Sequence, residues 1–156
     1  MQKPVSSREN GFYVVGMETR TTNAAEADPA TAKIPALWER VRSDPLMEQT
    51  PKRMAKGKLF GVYYNYESDE NGAYSLLVGY QVNPADELPA GLKGVTVDDG
   101  RYLVFTAEGE MPGALTQTWK EIWEYFRQPN APKRAFSYDY EIYESFTKVS
   151  VYIAIR

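Results

Sequence analysis

The feature that most constrains this chain is that it runs through one order of elements twice. Phe12 to Met17 reads as a strand, and Ile34, Leu37, Trp38 and Val41 recur at the spacing of one helical face, with Pro35 in the first turn. An irregular connection rich in Pro, Lys and Arg follows, then two strands, Phe60–Glu67 and Tyr74–Val82, around the turn SDENG. The second pass has a strand from Arg101 to Ala107 and a helical stripe of Leu115, Trp119, Ile122, Trp123 and Phe126. A linker with Pro129 and Pro132 leads to strands Phe136–Tyr143 and Val149–Ile155. Trp38 recurs as Trp119, and GVYYNYE (61–67) overlies YDYEIYE (138–144), matching Tyr63 with Tyr140 and Tyr64 with Glu141.

Two copies of such a unit do not make a solenoid. They predict an α+β fold: two pseudosymmetric βαββ units sharing one antiparallel sheet, with a central ligand groove along the seam. A single domain is expected over residues 12–156, with unit one at about 12–83 and unit two at about 95–156. Val95–Val97 reads as a further short strand, and the stretch from Pro84 to Gly94 as a Pro/Gly-rich connection. Residues 1–11 are polar and read as a disordered N-terminal tail.

Composition removes whole classes of chemistry. Among 156 residues there is neither Cys nor His. That excludes a disulfide, a thiolate nucleophile, a Ser-His-Asp triad and the usual zinc ligands. No cofactor or metal is expected. The net charge of −3 does not suit nucleic acid, and the basic residues at 40–58 are interleaved with Asp44 and Glu48, as on a solvated face. The sequence has neither the apolar run of a membrane span nor the apolar core of a secretory signal, so a cytoplasmic protein is expected. Twelve tyrosines supply rings with a polar end, suited to a half-wet groove.

The difference between the copies points to chemistry. Glu141 lies mid-strand between Tyr140 and Ile142, and strand parity puts it on one face with Asp139 and Tyr143. An ionised carboxylate is costly to bury alone, so Glu141 either faces water beside Asp139 or lies in a cavity awaiting a positive partner. Trp38 reads as core. Trp119 and Trp123 share a helix face and are candidates for either core or groove. Tyr13, Tyr64, Tyr80 and Tyr152 lie on strands and are candidates to line a cleft. The glycines at 109 and 113 match neither a P-loop nor a dinucleotide fingerprint and read as a helix-initiating turn.

Taken in order, FYVVGMETRTTN (12–23), IPALWERV (34–41), LFGVYYNYES (59–68), YSLLVGYQV (74–82), GRYLVFTAEG (100–109), LTQTWKEIW (115–123), YEIYE (140–144) and VYIAIR (151–156) resemble the GyrI-like, or AraC-type effector-binding, domain. That domain is also the drug-sensing half of BmrR-type regulators. The IPALW and TTN elements are similar to stand-alone members carried on integron cassettes. The resemblance implies a groove that binds lipophilic cationic small molecules. Its key acid falls on Glu141, in Tyr140-Glu141-Ile142-Tyr143, and an aromatic of the last strand falls on Tyr152. The ending Ile153-Ala154-Ile155-Arg156 lacks the family's frequent proline. Three roles are open at this point. The chain binds cationic drugs or effectors without touching nucleic acid; it hydrolyses reactive cyclopropane-bearing molecules through Glu141; or it passes a ligand signal to a separate regulator, or to a second copy of itself.

Overall fold

The structure is a computed structural model and describes residues 2–84 and 87–156. Residues 85 and 86 of the Pro/Gly-rich connection, and Met1 of the expected tail, lie outside the described residues.

Eight strands form one antiparallel sheet: β1 (Val5–Glu9), β2 (Phe12–Thr21), β3 (Leu59–Tyr64), β4 (Tyr74–Gln81), β5 (Lys93–Val97), β6 (Gly100–Glu108), β7 (Tyr138–Ser145) and β8 (Lys148–Ala154). Their order across the sheet is β1-β6-β8-β7-β3-β4-β2-β5. The two predicted units therefore meet at the β7–β3 pair, and the order on one side of that pair mirrors the order on the other. This is the α+β architecture that the repeat implies.

β5 contains the short strand expected at Val95–Val97 and β1 is additional, and the two are exchanged between the units. β1 leads directly into β2 but pairs with β6 of the other unit, Val5 opposite Val104 through Glu9 opposite Gly100. β5 leads into β6 but pairs with β2, Phe12 opposite Val97 through Gly16 opposite Lys93. Residues 5–9 are thus an edge strand, not the frayed tail expected for residues 1–11. The segment is VSSRE, held by backbone hydrogen bonds at a solvated edge, so it needs no apolar alternation to give it away.

Among the described residues three α-helices complete the fold, α1 (Asn23–Glu26), α2 (Ile34–Ser43) and α3 (Gly113–Arg127), with short 3-10 helices at Pro45–Gln49 and Ala55–Gly57. α1 falls inside a segment whose composition predicts only loop. Its cap is Thr22, whose Oγ1 accepts from the Ala25 N–H at 3.0 Å. Its last residue also caps the next helix. Glu26 accepts from the N–H groups of Lys33 (2.8 Å) and Ile34 (3.1 Å), at the start of α2, where Lys33 provides no side-chain cap.

Both long helices pack on the same face of the sheet. Leu37 and Val41 of α2 join Val15, Met17, Leu76 and Val78 of β2 and β4. Ile122 of α3 joins Leu103, Phe105, Val149, Val151 and Ile153 of β6 and β8. This leaves the helix-side surface of β3 and β7, at the centre, between the two helices. The opposite face carries a cluster of Val14, Phe60, Val62, Leu77, Tyr102 and Tyr140, with a cavity of about 330 Å³ beside Phe12, Phe60 and Tyr140. The sheet curls toward that second face. Phe12 of β2 meets Tyr140 of β7 with ring centroids 4.9 Å apart, although β4 and β3 lie between them; a flat sheet would separate those strands by roughly 14 Å.

Close backbone approach accompanies the curl. Gly16 and Gly79 are register partners on β2 and β4. A Cβ at Gly79 would lie 1.9 Å from the Val15 carbonyl oxygen, and one at Gly16 2.0 Å from that of Val78. We expect Gly79→Ala to lower the unfolding free energy by about 1–3 kcal/mol or more in urea denaturation, since only backbone can move to relieve the overlap. An alanine variant as stable as the parent would contradict this packing.

Candidate functional site

The strip between the helices carries the site. At its base, Glu141 of β7 points to the helix side and is 2% exposed. Its partner across the β3–β7 pair is Gly61, and the missing side chain there makes the room. A Cβ on Gly61 would come within 3.1 Å of Glu141 Oε1.

Three neutral donors hold the carboxylate. Tyr143 O–H donates to Oε1 at 2.7 Å, while Trp119 Nε1–H and Tyr63 O–H donate to Oε2 at 2.8 and 3.0 Å. Among the described residues no Lys or Arg pairs with it. Burial pushes the Glu141 carboxyl above the usual carboxylate range; the hydrogen bonds from Trp119, Tyr143 and Tyr63 pull the other way without cancelling it. Burial and the adjacent acid in turn raise the Tyr63 and Tyr143 hydroxyls well above their ordinary value, so both remain protonated donors.

The acid is roofed by aromatic rings. Trp119 meets Tyr63 edge-on at 5.4 Å and lies 6.1 Å from Trp123, and Tyr63 lies 5.7 Å from Tyr74. Above these rings opens a cavity of about 190 Å³ whose walls include Ile34, Tyr63, Tyr66, Tyr74, Trp119 and Trp123. Glu26 and Glu70 border it on the acidic side and Arg134 on the basic side. Glu141 thus lies behind the aromatic wall, joined to the cavity through Tyr63 and Trp119. Among the described residues no three acidic side chains gather into a set able to hold a metal ion.

Asp139, two residues away on the same face, is fully buried, so the reading of this strand face as solvated does not hold. Unlike Glu141, it is paired: Arg134 Nη2 donates to Oδ2 at 2.8 Å, and Tyr66 O–H to the same oxygen at 2.5 Å. The Ala154 N–H donates to Oδ1 at 2.8 Å.

Of the residues singled out from sequence, the structure brings Glu141, Trp119 and Trp123 together. Tyr152 lies on the opposite face, stacked on Tyr140 at 4.5 Å. Tyr64 lies there too, stacked on Tyr138. The sequence overlay that equates Tyr64 with Glu141 joins residues on opposite faces, and a one-residue slip accounts for it. Tyr80 packs beside α2 with the Arg53 guanidinium 3.7 Å above its ring, and Tyr13 packs in the same cluster. Trp38, expected in the core, is half-buried against the cluster under α2 and meets Tyr143 at 5.0 Å. Sequence reasoning missed Tyr63, Tyr66, Tyr74 and Arg134. Only the parity of Tyr63 opposite the Glu141 strand was available as a signal.

A curled antiparallel sheet of two related units, with a buried acid and aromatic cavity at their seam, defines a small-molecule effector-binding domain. The chain belongs to the family of integron-associated effector binding proteins (Cass2), whose family model matches residues 8–155. It is similar to the integron cassette protein VCH_CASS2 from the mobile metagenome of Vibrio cholerae, with 39% identity and a TM-score of 0.84 over 99% of this chain and 97% of that one. The putative transcriptional regulator YobU of Bacillus subtilis (strain 168) is 29% identical over 148 residues, 90% of each chain. The structure of SAV2435 bound to tetraphenylphosphonium shares the fold at 17% identity, with a TM-score of 0.77 over 99% of this chain and 94% of that one. Among the described residues no helix is long and apolar enough to cross a membrane.

The raised Glu141 carboxyl has a signed consequence for stability. A pKa higher in the folded than in the unfolded state contributes stability that is complete below the unfolded value and lost as pH rises through the folded value. The unfolding free energy of the parent minus that of Glu141→Gln should therefore decline between acid and neutral pH, because only the parent must ionise a buried group. Urea titrations at a series of pH values measure this difference; a flat difference would show that burial does not perturb Glu141.

Proposed function

We propose that this protein binds lipophilic aromatic cations in the cavity over Tyr63, Trp119 and Trp123, with Glu141 supplying the countercharge from behind the rings. One observation carries the reading: a buried carboxylate that has only neutral hydrogen-bond donors and borders, through two of them, an open aromatic cavity. The fold is shared with a protein described as bound to tetraphenylphosphonium, a lipophilic cation.

The physics is additive. Each well-placed ring contributes about 0.5–2 kcal/mol to a cation, more when desolvated. A carboxylate one ring's thickness further away, at about 6 Å, adds roughly 3 kcal/mol at an effective dielectric constant of about 20. Hydrogen bonding from Tyr63 and Trp119 to the anion enriches the very rings that face the ligand. A bound cation favours ionised Glu141, so affinity rises with pH until Glu141 is ionised in the free protein. Stacking and one point charge specify little shape, which suits a broad range of aromatic cations.

Hydrolysis through Glu141 would need a carboxylate oxygen free to take a proton from water. Glu141 is buried behind Tyr63 and Trp119 and is not among the residues lining the cavity, so binding is the reading this geometry supports.

Methyltriphenylphosphonium and neutral triphenylphosphine oxide form a matched pair for the test. In calorimetric titration, the preference of the parent for the cation should fall by about tenfold or more in Glu141→Gln, corresponding to about 1.4 kcal/mol or more. Equal loss for both compounds would remove Glu141 from the role assigned to it.

A further inference from the structure

Arg134 is a charged group that cation binding leaves unused. It lies in the proline-containing linker before β7, yet its side chain is only 7% exposed. Asp139 takes one arm of its guanidinium through Nη2. Its Nε–H is buried and meets no protein acceptor, which is destabilising for a charged donor. The guanidinium lies against Phe136, 4.3 Å from the ring centroid, so its edge is the part left to bond.

The position of Arg134 gives that donor a use. It borders the aromatic cavity and also a second cavity of about 300 Å³, and the two share Glu70, Trp123 and Arg134. Around the second cavity stand Arg127, Lys133 and Arg156 as well, with Glu70 as its one acid among the described residues. The two adjoining cavities therefore differ in charge. One end presents aromatic rings backed by Glu141, the other presents four cationic side chains, and Trp123 lies between as a stacking surface.

We propose that the site takes dipolar aromatic ligands: a cationic group seated on the Tyr63–Trp119 wall and an anionic or strongly accepting group, such as a carboxylate, bonded by Arg134. This rests on the cation-binding reading and narrows its ligand class. Asp139, which Tyr66 in turn bonds, holds the Arg134 guanidinium in place, and the ligand's acceptor reaches the buried Nε–H by displacing what covers it.

Rhodamine B, a zwitterion with a free carboxylate, and its ethyl ester, a simple cation, separate the two ends of the groove by fluorescence anisotropy. The parent should prefer the acid over the ester by about tenfold, as a charge-assisted hydrogen bond predicts. Arg134→Lys retains the ion pair with Asp139 but removes the Nε donor, and should bring that preference toward one. A purely structural Arg134 would weaken acid and ester by the same factor. If Arg134→Lys does not fold, the double variant Arg127→Gln/Lys133→Gln, altering exposed side chains only, should reduce the preference by about twofold to threefold. A parent that favours the ester, binds neither dye while still binding methyltriphenylphosphonium, or keeps its preference in the variants overturns the proposal. Methyltriphenylphosphonium affinity and its dependence on Glu141 report separately on the cation-binding reading.

Discussion

The burial of Glu141 organises the centre of this molecule. A carboxylate cannot be placed under a sheet-and-helix interface unless space and donors are both provided. Gly61 supplies the space, as the cross-strand partner without a side chain. Donors come from three directions: Tyr63 from β3, Tyr143 from β7 and Trp119 from α3. These bonds tie the helix of the second unit to the central strand of the first, and Trp38 of α2 closes the other side by packing on Tyr143. The seam between the units is thus fixed by the same contacts that shape the cavity.

The exchanged edge strands make that seam durable. Since β1 belongs in sequence to the first unit and pairs with the second, and β5 does the reverse, neither unit completes its own sheet. Separating the units would break both outer pairings as well as the central β3–β7 ladder. The two helices lie on one face, with the strip over β3 and β7 between them, while the curled opposite face carries its own aromatic cluster. A cavity at the centre is then a consequence of topology, and the side chains decide its chemistry.

Much of this was legible in the chain itself. Helical spacing marked Leu37 and Ile122, both now buried under their helices, and strand parity placed Glu141 on the face opposite Tyr140. What escaped has physical reasons. β1 is polar and held by backbone bonds at an edge, so periodicity carries no trace of it. The overlay of the two hairpins followed a pattern of tyrosines that recurs on both strand faces, and a slip of one residue reversed the face of Tyr64. Tyr66, Tyr74 and Arg134 reach the cavity from the ends of strands and from a linker, where side-chain direction is set by tertiary contacts. Arg134 in particular reads as a solvated loop residue; only the buried Asp139 draws it inward.

Asp139 and Glu141 together show how charge is apportioned. They are two residues apart on one strand face, equally removed from water, and differ in one respect. Asp139 receives a guanidinium, a phenol and a backbone N–H, which joins the linker and the last strand to the sheet. Glu141 receives only uncharged donors. The chain can therefore deliver an arginine to this face of β7 and does so one alternation away. Leaving Glu141 without one keeps its carboxyl raised by burial, a cost that the cation proposed for the cavity above would relieve. A fold selected for stability alone would gain by pairing or replacing that acid, and the proposed cation site gives its neutral surroundings a role.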